Sequence, residues 1–176
     1  VSTGDYNANS GWKGTEQPCF SNRDLANKVV DNVFKMLMDD KSARLVFIGQ
    51  MDGSTGLCQC PNCQKERELY GPQESALVIR FVNYIAERVD AKLVEVGDTR
   101  KIQYATYAYL FTEEPPVKKL ADGTYEANHS SVKPNSNVAI LLAPIYAEYN
   151  VSFKEEENAY TRTIVDAWAS ISEVMW

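Results

Sequence analysis

Histidine is nearly absent from this sequence, with one residue in 176, and positive charge is outnumbered, 18 Lys and Arg against 24 Asp and Glu for a net charge of -6. Such a balance repels a phosphate backbone, and no stripe of Lys and Arg offsets it, which weighs against nucleic acid as a partner. Long apolar runs are missing as well. None approaches the roughly 20 residues needed to span a bilayer, so no membrane span is expected; nor does the sequence given start with a signal peptide, which a mature or trimmed chain would have lost. No G-x-G-x-x-G or Walker-type loop follows any apolar segment, which counts against a nucleotide-binding sheet. At 44% hydrophobic residues the chain is long enough for one domain with a full core.

What is present is concentrated in residues 44–63, RLVFIGQMDGSTGLCQCPNC. Leu45, Val46, Phe47 and Ile48 form a continuous apolar run, the pattern of a strand buried on both faces of a parallel sheet. Gly49 and Gln50 close it, and Asp52 follows. Parallel α/β folds carry reactive groups at the carboxyl ends of their strands, which makes Asp52 a candidate catalytic carboxylate; Asp52-Gly53 is equally a strong turn signal. Behind it come Cys58, Cys60 and Cys63 in C-x-C-x2-C spacing, and Cys19 is the one remaining cysteine. Thiolates bind zinc because the metal displaces the thiol proton, and four of them close a tetrahedral structural site. The leading expectation is a structural zinc on Cys19, Cys58, Cys60 and Cys63, with Cys19 arriving from the end of a neighbouring strand. Two alternatives stay open. An even number of cysteines permits two disulfides, as in a secreted protein, although clustering strains that scheme. Cys60-Pro61-Asn62-Cys63 also has a thioredoxin-like redox spacing, with Cys58 adjacent and the wrong flanking order.

Elsewhere apolar strands alternate with amphipathic helices. Pro18-Cys19-Phe20 reads as a short extended stretch, and Ser21 with Asp24 has capping-box spacing for a helix over 21–39 with Leu25, Val29, Val33 and Leu37 on one stripe. A second helix over 74–94 turns Leu77, Val78, Phe81, Ile85 and Val89 inward and holds Asn83 at its apolar edge, placed for a buried polar contact. The strand expected over 102–111 has no polar face, so both of its faces are expected to be covered. Pro115-Pro116 then opens a long loop with turns at Asp122-Gly123 and Pro134-Asn135; His129 lies in it and reads as solvated surface. Asn128-His129-Ser130 and Asn150-Val151-Ser152 fit the glycosylation acceptor pattern, which matters only in a eukaryotic secretory pathway. A buried strand over 138–142 ends ahead of Tyr146 and Glu148, a place comparable to that of Asp52, and Glu113 stands just past the strand before it. The last helix, over 158–172, turns Ile164, Val165, Trp168 and Ile171 inward, and 173–176 begin another strand.

Helix-separated apolar strands imply parallel crossovers, so the expected fold class is α/β, of the (β/α)8 TIM-barrel type with about half of the barrel in this chain. Residues 1–17, rich in Gly, Asn, Ser and Thr, read as a loop extension, and 18–176 as the partial barrel domain. The strand-like ending points to a piece of a longer polypeptide, stable within it because an isolated half barrel exposes strand edges.

The motifs Cys19-Phe20-Ser21-Asn22, Gly49-Gln50-Met51-Asp52, the C-x-C-x2-C run, Arg80-Phe81-Val82-Asn83, Ala108-Tyr109, Pro115-Pro116, Asn137-Val138, Ala143-Pro144-Ile145 and Trp168 resemble the uncharacterised domain family 4838. That family occurs in large, mostly bacterial, carbohydrate-related proteins. The resemblance implies a glycoside-hydrolase-like barrel with carbohydrate bound at the carboxyl ends of the strands, in a periplasmic, cell-surface or secreted protein. The cysteine spacing is also similar to the structural zinc site of family 42 β-galactosidases. One departure is at Asn150-Val151-Ser152-Phe153, where family members often carry a histidine. The functional expectation is a glycoside hydrolase-like protein, a possible glycosidase. Hydrolysis needs an acid and a second carboxylate, roughly 5 Å apart or up to about 9.5 Å apart. Asp52 is the candidate acid, Glu148 and Glu113 are candidate partners, and Gln50, Tyr107, Tyr109 and Tyr146 are candidate sugar contacts. A non-catalytic carbohydrate-binding barrel and an interaction scaffold stapled by its cysteines fit the same residues.

Overall fold

A computed structural model describes residues 17–52 and 56–176. The loop expected over 1–17 lies outside them except for Gln17, and so does Gly53 of the expected turn. Helix α1 (Arg23–Asp39) starts where the Asn22 side chain accepts the Leu25 N–H at 3.0 Å, satisfying one of the first-turn amides. The cap is Asn22 and not Ser21, whose hydroxyl turns toward the cysteine sulfurs. Pro18, Cys19 and Phe20 belong to no strand, so Cys19 approaches from the loop ahead of α1 rather than from a strand end.

Strand β1 (Leu45–Phe47) is followed by helix α2 (Pro61–Tyr70), helix α3 (Ser75–Glu95) and strand β2 (Gln103–Ala108). In place of a featureless loop, β3 (Val117–Lys119) and β4 (Tyr125–Ala127) form an antiparallel hairpin around the expected turn, with Gly123 at φ 87°. Strand β5 (Val138–Leu142) and helix α4 (Ala159–Ala169) complete the chain. The sheet is parallel in the order β1-β2-β5, and Met175 extends it through a parallel bridge to Ile140, as expected of residues 173–176.

The register sets Val46, Tyr104 and Val138 side by side, and the two-residue period puts Thr106, Ala108 and Ile140 on the same face. Every long helix packs there. Val30, Leu37, Val82, Ile85 and Val89 of α1 and α3 meet Val46, Tyr104 and Val138, while Ala76, Ile79, Ile164 and Trp168 of α3 and α4 meet Ala108 and Ile140. Each fully buried Leu, Ile or Val contributes about 1.5–3 kcal/mol, and α3, shared by both clusters, is the central support. The opposite face is bare in places: Leu45, Phe47 and Tyr107 are 51%, 46% and 39% exposed. The expectation that these strands are buried on both faces is therefore corrected. A continuous apolar run says that both faces avoid charge, and only the packing of the helices decides which is covered. Among the described residues the sheet is open and no barrel closes; the architecture is mixed α/β with a parallel sheet and its helices on one side.

The two edges of the sheet differ. At the amino edge Arg100 pairs with Asp98 at 2.8 Å and donates to the carbonyls of Leu37 and Asp40 at 2.7 and 3.1 Å, closing the end of α1. At the carboxyl edge the segments after β1, β2 and β5 gather, and the candidate residues lie there.

Candidate metal centre and carboxyl-edge cleft

The sulfurs of Cys19, Cys58, Cys60 and Cys63 all lie within 4.8 Å of one another, and each residue is at most 3% exposed. Three come from the start of α2. Cys60 is its N-cap and Pro61 its first residue, a position where proline's fixed φ suits the helix and its missing N–H costs nothing. The helix N-terminus favours negative sulfur. Arg67, one face along α2, donates to the Cys58 carbonyl at 3.2 Å and grips Glu74 at 3.0 and 2.7 Å, fixing the loop that carries Cys58. Cys19 lies 3.8 Å from Cys60 and 3.7 Å from Cys63, sulfur to sulfur.

These separations decide between the readings. All four cysteines are free thiols, and 3.7 Å is far beyond the roughly 2.05 Å of an S–S bond, so the two-disulfide scheme is set aside. A reactive redox pair needs an accessible sulfur, and Cys60 and Cys63 are 3% and 1% exposed. A tetrahedron of metal–sulfur bonds of about 2.3 Å has edges of about 3.8 Å, which the Cys19 separations match. The four cysteines are a candidate metal site. Among the thiols themselves, hydrogen bonding from Cys63 lowers the Cys19 pKa to about 5 and raises that of Cys63, while burial pushes Cys58 up to about 12. Ser21 Oγ lies 3.0 Å from Cys63 Sγ, a contact that sequence reasoning missed because a serine ahead of a helix looks like a cap.

The segment after β1 also contributes to a cleft of about 330 Å³ lined by Gln50, Met51, Asp52, Tyr107, Tyr109 and Ala143, within the roughly 300–1,000 Å³ range of small-molecule sites. Four of the expected residues meet there: Asp52, exposed, with Gln50, Tyr107 and Tyr109. Phe47, Tyr107 and Tyr109 form a ladder of rings, with centroids 4.4 and 6.5 Å apart. Gly49 lets the strand end pass this ladder, since a Cβ there would stand 3.2 Å from both the Phe47 ring and Thr106 Oγ1.

Gln50 faces inward, but its amide is engaged. Nε2 donates to the Tyr109 carbonyl at 2.9 Å, and Oε1 accepts the Thr112 hydroxyl at 2.5 Å. Between those partners Leu110 sits at φ 52°, a conformation costly for a branched side chain, so Gln50 holds a strained turn beside the cleft. Thr112 and Gln17 had no sequence signal. Gln17, fully buried, reads the Met51 backbone in both directions at 2.7 and 2.9 Å, fixing the residue before Asp52.

Glu113, Glu148 and Tyr146 are not among the residues lining this cleft. Glu113 is buried, and its carboxyl is pushed above the ordinary value by desolvation, offset in part by the Tyr160 hydroxyl at 3.5 Å and reinforced by Glu114. Its carbonyl accepts the Trp168 indole N–H at 2.7 Å, which confirms Trp168 as core. Glu148 and Tyr146 are exposed on the loop after β5, which Asn158 pins by holding the Glu148 backbone at 2.9 and 3.0 Å. Asn83 makes the buried contact expected of it, to the backbones of Lys133 and Asn135, and His129 is exposed.

Fold and site together define an α/β domain with a one-sided helical layer, a buried tetracysteine centre and an open cleft at the carboxyl edge of a parallel sheet. The chain belongs to the family described as a domain of unknown function (DUF4838), whose model matches residues 6–176. No curated protein and no solved structure matches it. Among the described residues, no helix is long and apolar enough to cross a membrane.

Proposed function

We propose that this domain is one wall of a (β/α)8-type barrel in a glycoside hydrolase-like protein, and that glycan binds in the cleft at its carboxyl edge. The observation that carries the reading is that Asp52, Tyr107 and Tyr109, drawn from two strand ends, line one cleft. The barrel is supported by strands added in chain order with every long helix on one face, whereas a doubly wound sheet reverses direction and covers both faces. The apolar face carrying Leu45, Phe47 and Tyr107 is the one such a barrel turns inward. Tyrosine rings offer flat apolar area to sugar C–H groups and hydroxyls at the rim, and a carboxylate accepts from sugar hydroxyls. In the hydrolytic form Asp52 is the acid, and its partner carboxylate reaches the sugar from outside the residues that line this cleft. The family's carbohydrate-related setting supports a periplasmic, cell-surface or secreted location.

The test is binding of a panel of oligosaccharides to the longest available protein, alongside Asp52→Asn and Tyr107→Ala, with release of reducing ends measured in parallel. At least a tenfold loss of binding in both variants is expected, and unchanged binding rejects the cleft. A second reading, binding without hydrolysis, is favoured by one fact: of the three expected carboxylates only Asp52 lines the cleft. Binding with no reducing-end release distinguishes it. A scaffold stapled by its cysteines predicts no saccharide binding at all.

The same proposal places zinc on Cys19, Cys58, Cys60 and Cys63. An all-thiolate donor set suits a borderline-soft metal, and the sulfur separations suit zinc's bond length. Bound there, zinc supplies a cross-link between the loop ahead of α1 and the start of α2. Metal analysis with thiol titration tests it: one zinc per chain and no reactive thiols before chelation are expected.

A further inference from the structure

We infer that Ser21 is an outer partner of the tetracysteine metal centre, its hydroxyl donating to the Cys63 sulfur and tuning how tightly the centre holds its metal. The inference rests on the metal reading above. Ser21 Oγ lies 3.0 Å from Cys63 Sγ, 3.5 Å from Cys19 Sγ and 3.7 Å from Cys60 Sγ, so the hydroxyl sits over the face formed by those sulfurs. It is free for this role because Asn22, the next residue, caps α1 in its place.

The chemistry explains why a donor belongs there. A divalent metal displaces the protons of four thiols and leaves a buried centre of net charge 2-, in which every sulfur is an acceptor and none a donor. Buried negative charge is stabilised by hydrogen-bond donors. The Cys63 N–H donates to Cys60 Sγ at 3.5 Å, and the Ser21 hydroxyl supplies a second donor, directed at a different sulfur. A donated hydrogen bond draws electron density from the Cys63 sulfur, lowering its nucleophilicity while keeping it oriented toward the metal. Groups that orient metal ligands in this way typically change metal affinity by about 10–100-fold when removed.

Ser21→Thr keeps the hydroxyl, and Ser21→Val has nearly the same shape without it. The full chain carrying each substitution is loaded with Co(II), and the thiolate-to-cobalt charge-transfer band is recorded. Zinc retention is then measured against a chromophoric chelator, and alkylation of Cys63 by iodoacetamide is followed by mass spectrometry. The expected result is a wild-type band in Ser21→Thr, and in Ser21→Val a band shifted to lower energy, metal held about tenfold more weakly and faster alkylation of Cys63. A change in packing alone would affect melting temperature without moving the band. If Ser21→Thr and Ser21→Val share one spectrum and one affinity while both bind metal, the role of Ser21 is rejected and the centre stands. If the unsubstituted chain binds neither cobalt nor zinc, the metal reading falls and the inference with it.

Discussion

The sulfur corner and the cleft both draw residues from the segment that follows β1, and they are built in opposite ways. In the corner each of the four cysteines is at most 3% exposed, and Arg67, Ser21 and the start of α2 hold the cluster from outside. In the cleft Met51 and Tyr107 are 55% and 39% exposed, and the backbone around Gln50 is tied down so that the side chains at the surface stay free. One region is closed by its own chemistry, and the other is kept open by a frame behind it. Substitutions should therefore cost stability in the corner and function in the cleft.

Breaking the corner should have the largest effect. Cys63→Ser, or a strong chelator, is expected to release the proposed metal and lower the melting temperature by more than roughly 10 °C, because metal binding free energy is folding free energy at a site absent from the unfolded chain. Calorimetry with metal analysis checks this, and an unchanged melting temperature on chelation would mean that the centre staples nothing. Next comes the frame of the cleft. Gln50→Ala removes the two hydrogen bonds that tie the end of β1 to the turn around the strained Leu110, to the Tyr109 carbonyl and from the Thr112 hydroxyl, and should cost about 1–3 kcal/mol in urea denaturation. A cost near zero would show that Gln50 belongs to the open face rather than to the frame behind it.

The same contrast explains what was legible in the sequence. The corner draws three of its ligands from Cys58 to Cys63, so spacing alone named it, and only its geometry could decide metal against disulfide. The cleft joins Gln50, Tyr109 and Ala143, which are far apart in the chain and meet through the register of β1, β2 and β5. Strand ends named its members, and nothing in the residues told Tyr109, inside the cleft, from Tyr146, outside it. Helices α1, α3 and α4 were readable from their apolar stripes. Helix α2 was not, because PNCQKERELY buries only Cys63 and so has no stripe to read. Its signals were a sulfur cap and Pro61. At residues 45–48 the run of apolar residues concealed an alternation, with Val46 buried and Leu45 and Phe47 exposed.

A smaller effect separates Glu113 from the exposed carboxylates. Its folded-state pKa is raised by burial, so the folded protein binds this proton more tightly than the unfolded chain does. The resulting stability is fully present below the ordinary glutamate range and is lost as pH rises through the raised value. Glu113→Gln removes the titration, so stability measured against pH should fall less steeply above the ordinary range than in the unsubstituted chain. Identical curves would place Glu113 with the solvated groups.

The smallest change in stability is expected where the largest change in function lies. Asp52 is exposed, and the residue before it is held through its backbone by Gln17 rather than through the aspartate. Asp52→Asn keeps the shape and removes the charge, so it should shift stability by no more than about 0.5 kcal/mol while weakening glycan binding at least tenfold. The two measurements answer different questions. A stable variant that still binds glycan would leave Tyr107 and Tyr109 as a platform without a carboxylate partner. An unstable one would mean that Asp52 belongs to the frame with Gln17 and Gln50, and the division between a closed corner and an open cleft would have to be redrawn through the loop after β1.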